Sequence, residues 1–334
     1  MDSFAAFVEE CDRAPRLNQL AGFFASTAAG KTGQPIHKPR VDRRLFESNS
    51  LLEKFIELHS QRCGPFDLHY HSSIPYRLEE ECRLGAAILS YGLERIPKNT
   101  SLKVYTLGTA EGTMARIISE LADGAIETLS CSPNRENFDS FCAYGMPSHA
   151  LFFLGSFHRL TKETLRADRD LVRFEAGFDI ILEDTTFQMY SANRVGQIEF
   201  VSQHLKPDGL FLFVEKFHHD CADEYAQRER QKDYGFKARF FQRNEIENKA
   251  RDVLTVMSRN QCTLSEMAAA ISRRFTNCCI TWNSGNFYTL VAGNNIKNIE
   301  RLILLMGPPA IPNEYVYVDT PSALAKFDED KGIQ

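Results

Sequence analysis

Gly108, Ala110 and Gly112 fall at alternate positions directly after the apolar run 104–107. Directly after them, Met114, Ile117, Ile118 and Leu121 recur at helical spacing. A strand, a turn of small residues and a helix can make a nucleotide site. Glycine lets the backbone approach a ligand, and the helix start offers free N–H groups. No Gly-Lys-Ser/Thr follows, so the phosphate-loop reading fails, and the third glycine of a dinucleotide fingerprint is missing. Taken alone, the pattern also suits a plain αβ connection.

Further residues could do chemistry. Asp184 ends the apolar run 178–184 and can be a base facing a pocket or a helix N-cap for the segment after Thr186. His218 and His219 follow the run 210–215 and can be a base, a substrate contact or a solvated pair. Cys131 reads as packing rather than as a nucleophile. In residues 66–76, an extended backbone would put His69 and His71 on one face. No third ligand lies nearby, so no metal is expected. His69, Tyr70 and His71 read instead as substrate contacts on a lid.

The elements that must position these residues alternate from residue 101 onward. Strands are expected at 104–107, 126–133, 150–156, 178–184 and 210–215, with helices between them, which predicts a parallel sheet covered on both faces. Ligands on such sheets sit beyond the carboxyl ends of the strands, so the turns after Leu107, Leu129, Leu154 and Leu182 should line one pocket. Residues 216–256 are polar and charged and read as a helical insert. Residues 278–282 and 286–292 read as a closing antiparallel hairpin. Ahead of the core, residues 1–60 are amphipathic and helical. A linker breaks them at 29–35, and the basic run 38–44 reads as a solvated loop. The tail from 294 carries one helix over 296–306 and an irregular end.

The 334 residues carry a net charge of −5, which argues against a broad nucleic-acid surface. The nine cysteines are odd in number and lack C-x-x-C pairs, which suits a reducing cytoplasm better than a disulfide framework. No signal peptide and no membrane span are expected.

The Gly108 loop, together with the turn Leu205-Lys206-Pro207-Asp208-Gly209 before an apolar strand, resembles class I S-adenosylmethionine-dependent methyltransferases. The series Glu215-Lys216-Phe217, Phe236-Lys237, Asn244-Glu245-Ile246, Val256-Met257 and Asn286-Phe287-Tyr288 resembles the carboxy-S-adenosylmethionine synthase branch, which serves tRNA wobble-uridine modification. Ser73-Ile74-Pro75-Tyr76 resembles the segment ahead of that branch's core. The resemblance implies an α/β fold, a doubly wound, mostly parallel, seven-stranded sheet over 65–293. Residues 1–64 would be a helical N-terminal extension and 294–334 a C-terminal extension.

The resemblance also implies S-adenosylmethionine as cofactor. It sets Gly108, Thr109, Ala110 and Gly112 against the amino-acid part, Ser130 and Cys131 at the ribose, and Ser156 and Phe157 at the adenine. Asp184 falls near the sulfonium, and Tyr76 caps the ligand. Two departures stand out: Ser130 and Ser156 replace the carboxylates that such enzymes use. A third concerns the synthase's carboxylate-binding arginine, whose counterpart is Ala250 or, one residue along, Arg251. Arg251 is therefore a substrate-binding candidate. Three functions follow. The first is a cytoplasmic methyltransferase for a small-molecule or natural-product substrate, in which the N-terminal helices could form a lid or a homodimer contact. The second is a carboxy-S-adenosylmethionine synthase-like enzyme. The third is a protein of this fold that has lost the donor chemistry.

Overall fold

Tyr105 and Leu107 point to one face of a strand whose Val104 points to the other, and all three are fully buried. The same alternation recurs at Leu210, Leu212 and Val214 against Phe211 and Phe213. A sheet apolar on both sides must be covered on both sides, which is what the computed structural model shows. It describes residues 4–47, 49–95, 101–108, 110–145 and 147–326. Thr109 lies outside the described residues.

The strands are β1 (Leu102–Leu107), β2 (Ile126–Ser132), β3 (Ala150–Leu154), β4 (Phe178–Asp184), β5 (Leu205–Lys216), β6 (Asn277–Ser284), β7 (Phe287–Gly293) and β8 (Ser322–Lys326). Their order is β3-β2-β1-β4-β5-β7-β6-β8. The first five run parallel; β7 is antiparallel to β5 and β6, and β8 is antiparallel to β6. The sheet therefore has eight strands rather than seven. The additional edge strand comes from the tail that the sequence reading left irregular. Strand order reverses between β1 and β4, so the crevice beyond their carboxyl ends is the place for a ligand.

Five helices precede the sheet: α1 (Ala5–Arg13), α2 (Pro15–Ala28), α3 (Ser50–Arg62), α4 (Pro65–His71) and α5 (Arg77–Arg95). Phe7 of α1 enters the sheet's core against Phe157 and Phe200. Asp12 pairs with His158 at 2.9 Å and Arg159 at 2.6 Å. Phe55 of α3 lies in the core on the other face, in the space that the absent side chain of Gly85 leaves on α5. The expected linker is held in place: Gln34 donates to the Thr27 and Pro65 carbonyls. The extended reading of 66–76 is corrected, because α4 occupies its first half. Pro65 at a first helical position explains the start. On a helix, residues two apart point in nearly opposite directions, so His69 and His71 do not share a face.

Between the strands lie α6 (Thr113–Ala122), α7 (Arg135–Ala143), α8 (Lys162–Ala167), α9 (Phe187–Tyr190) and α10 (Arg194–Ser202). The insert after β5 holds α11 (Ala222–Arg230), α12 (Arg243–Lys249) and α13 (Thr255–Met257), with π-helical turns at Gln231–Phe236 and Ala250–Leu254. The helices α14 (Leu264–Ile271) and α15 (Ile296–Met306) flank the β6–β7 hairpin. No helix among the described residues is long and apolar enough to cross a membrane.

Candidate functional site

The carboxyl ends of β1, β2 and β4 are level: Leu107 is in register with Cys131 on one side and Glu183 on the other. Gly108 then turns at φ +83°, Ala110 at +41° and Gly112 at +65°. A Cβ on Gly108 would collide with the Thr186 hydroxyl and the Asp184 carbonyl, so only glycine fits there. One cavity opens above these strand ends. Of the expected site residues, Gly108, Ala110, Cys131, Phe157, Asp184, His69 and Tyr70 line it. Leu17, Phe23 and Phe24 of α2 close part of it.

Asp184 is buried, and both of its oxygens are engaged. Tyr70 of α4 donates to Oδ1 at 2.5 Å, and Arg77 of α5 donates to Oδ2 at 2.5 Å. Burial raises the Asp184 pKa, and Arg77 and Tyr70 only partly oppose that. The helix-capping role belongs to its neighbour: the Glu183 carboxylate accepts from Thr186 N and Phe187 N at 2.5 and 3.0 Å. Asp184 is thus free of the cap, and both of its carboxylate oxygens are occupied by donors.

Arg77 also lies 3.4 Å from Glu81, whose two oxygens meet His59 and His71 at 3.0 Å each. Burial pushes Glu81 up, but His71, His59 and Arg77 together hold it well below the usual carboxylate range. Among the described residues, His59, His71 and Glu81 form a group whose ligand atoms lie within 4.8 Å of one another. The Arg77 cation beside Glu81 disfavours a divalent ion there, and the group reads as a hydrogen-bonded network.

Beyond β2, the expected ribose residue Ser130 does not reach the cavity. Its hydroxyl bonds Thr106 at 2.9 Å and sits beneath Gly112. Ser132, Asn134 and Asn137 line the cavity instead. Asn137 donates to Ser132 at 3.0 Å, which leaves its Oδ1 buried without a partner, and Asn134 Nδ2 is likewise unpaired. Both residues border the cavity, so polar groups lie close to its wall at the end of β2. Cys131 faces the Tyr105 hydroxyl at 3.1 Å, and burial pushes its thiol up to about 12, which makes it inert.

The far end of the cavity is cationic. Lys216, Lys232, Lys237 and Lys249 line it. Lys216 and Lys232 reach Glu229 at 2.8 and 2.9 Å, and Lys232 and Lys237 reach Asp233 at 2.9 and 2.8 Å. Lys249 meets His69 Nε2 at 2.5 Å and Ser73 at 2.9 Å. The other ring nitrogen of His69, Nδ1, donates to the Gly33 carbonyl at 2.5 Å. Burial and the neighbouring Lys249 hold His69 well below its usual range, and burial with the nearby Lys237 and Lys232 lowers Lys249 well below its own.

The remaining expected residues lie elsewhere. Tyr76 packs on Phe236 and Tyr315 rather than capping the cavity. Gly112 starts α6 behind the loop, and Ser156 precedes Phe157 outside the lining. His71 is tied to Glu81. His218 bonds the Ser258 carbonyl at 2.9 Å, and His219 pairs with Glu224 at 3.1 Å, so neither reaches the cavity. Arg251 is exposed and paired with Asp252 at 2.7 Å, because the π turn that begins at Ala250 sets it on the outer surface. Sequence reasoning missed Asn134, Asn137 and the lysines. The available signals were an N-cap asparagine with a second asparagine three residues on, and lysines five apart in the insert.

No protein-family model matches the chain, and no curated protein matches it. Among solved structures, the chain is similar to the plantazolicin methyltransferase BpumL in complex with SAH, at 14% identity and a TM-score of 0.46, covering 74% of this chain and 100% of that one. It is similar to a probable spermidine synthase from Corynebacterium glutamicum at 14% identity and 0.42, covering 68% and 71%. It is also similar to a SAM-dependent methyltransferase from Geobacter sulfurreducens in complex with S-adenosyl-L-homocysteine at 15% and 0.37, covering 61% and 65%.

Proposed function

We propose that the chain is an S-adenosylmethionine-dependent methyltransferase acting on a small molecule. One observation carries the reading. Gly108, Ala110, Cys131, Phe157 and Asp184, which the resemblance assigns to the donor, border one cavity where the strand order reverses. The antiparallel β7 between β5 and β6 suits the same fold.

Methyl transfer is an in-line displacement at the sulfonium methyl, so the site must chiefly position two molecules. The Asp184 carboxyl, held by Tyr70 and Arg77, borders the cavity where a sulfonium would lie. Asp184 acts by charge and by holding Tyr70, not as a base. Asn134 and Asn137, which border the cavity after β2, take the place of the missing ribose carboxylate. Phe157 and Tyr190 supply apolar wall for a base. The synthase alternative loses Arg251, which is exposed.

Mass spectrometry of small molecules released from the purified protein tests this reading. S-adenosylmethionine or S-adenosylhomocysteine is the expected nucleoside. A different bound nucleotide counts against it.

A further inference from the structure

We propose that the acceptor substrate carries an anionic headgroup on an apolar body, and that Lys216, Lys232, Lys237 and Lys249 hold that headgroup. The headgroup is a carboxylate or a phosphate of up to two negative charges. The inference rests on the methyltransferase reading only for calling this ligand the acceptor.

Four lysine amines border one end of the cavity, and the carboxylates they bond are Glu229 and Asp233. Lys216, Lys232 and Lys237 are buried to 4–5% exposure or less. Lys249 bonds only neutral partners, His69 Nε2 and the Ser73 hydroxyl. Removing a charge from water without an opposite partner is costly. Burial and the crowding of lysines lower Lys237 and Lys249, so four amines facing two carboxylates leave a place for an anionic ligand, which would restore their charge.

The backbone is built for this gathering. The π-helical turn Gln231–Phe236 brings Lys232 and Lys237, five residues apart, onto the same Asp233 oxygen. Such turns cluster at functional sites. A second π turn follows Lys249 directly. Apolar rings adjoin the cations: Lys249 lies 5.9 Å from the Phe23 ring and Lys216 lies 5.6 Å from the Phe287 ring. Phe23, Phe24 and Phe66 continue that apolar surface along the cavity, which defines the body of the ligand.

Calorimetry with 2-naphthoate, 2-naphthyl phosphate and the neutral 2-naphthalenemethanol tests the proposal, with and without saturating S-adenosylhomocysteine. At least one acid is expected to bind about tenfold or more tighter than the alcohol. The two acids tell carboxylate from phosphate. In Lys249→Met and Lys237→Met the gap is expected to close while the melting temperature is maintained. The wild-type comparison decides even if a variant fails to fold. Equal affinity for acid and alcohol, no acid binding at millimolar concentration, or a gap unchanged in both folded variants overturns the proposal. So does displacement of S-adenosylhomocysteine by the acids. If S-adenosylhomocysteine does not bind at all, the methyltransferase reading falls, and the acid preference still judges the lysine site by itself.

Discussion

Tyr70 and Asp184, 114 residues apart in the chain, are joined by a 2.5 Å hydrogen bond at the mouth of the switch-point crevice. The bond ties α4, ahead of the sheet, to the end of β4, and Arg77 of α5 completes it from the other oxygen. The N-terminal helices are thereby fixed relative to the strand ends that line the cavity. Tyr70→Phe is expected to cost about 1–2 kcal/mol of stability, the ordinary loss for one buried hydrogen bond. Asp184→Asn is expected to cost about 3–5 kcal/mol, because it leaves Arg77 buried without its closest anion. Urea unfolding of both variants checks the order; equal stability of the two contradicts it.

Ser130→Asp looks from the sequence like a repair of the ribose site. In the fold it is not, since Ser130 is buried beneath Gly112 and bonded to Thr106. A carboxylate there lacks both room and a cation. The expected outcome is a drop of about 2 kcal/mol or more in stability with no gain in S-adenosylhomocysteine affinity. Tighter binding by a stable variant contradicts the placement.

The crevice was legible because its signals are local. The apolar run 104–107, the glycines after it and the helical period of 114–121 all belong to one short stretch, and Asp184 ends a run of its own. Residues 66–76 misled because alternating aromatics and histidines imitate a strand, whereas Gly64 and Pro65 mark a helix start. The lysine end was not legible. Lys216 ends a strand, Lys249 ends a helix, and Lys232 and Lys237 meet only through a π turn that no 3.6-residue period reveals. Gly108→Val would collide with the Thr186 hydroxyl and the Asp184 carbonyl and should unfold the loop.

Lys237 gives a dependence on pH. Burial and Lys232 lower it from 10.5 to about 7. Between about pH 7 and 10 the unfolded chain therefore binds the extra proton, and stability should rise with pH by up to about 1.4 kcal/mol per unit. Lys249 is lowered too and adds a slope of the same sign, so Lys237→Met should show a shallower slope than wild type. Unfolding titrations of both proteins at pH 7, 8 and 9 compare them, and identical slopes contradict the assignment.

Arg251 is exposed and paired only within its own turn. Arg251→Ala should leave stability within about 0.5 kcal/mol of wild type and leave S-adenosylhomocysteine binding unchanged. A clear loss of affinity would return this residue to the site.

The most direct measurement is a calorimetric titration of S-adenosylhomocysteine into wild type and Asn137→Ala. Asn137 borders the cavity beyond the end of β2, where the proposed donor would place its ribose. The expected result is saturable one-to-one binding, weakened about tenfold in the variant, as for one lost hydrogen bond in a buried site. Absence of binding to folded wild type, or equal affinity in both proteins, contradicts the donor site described above.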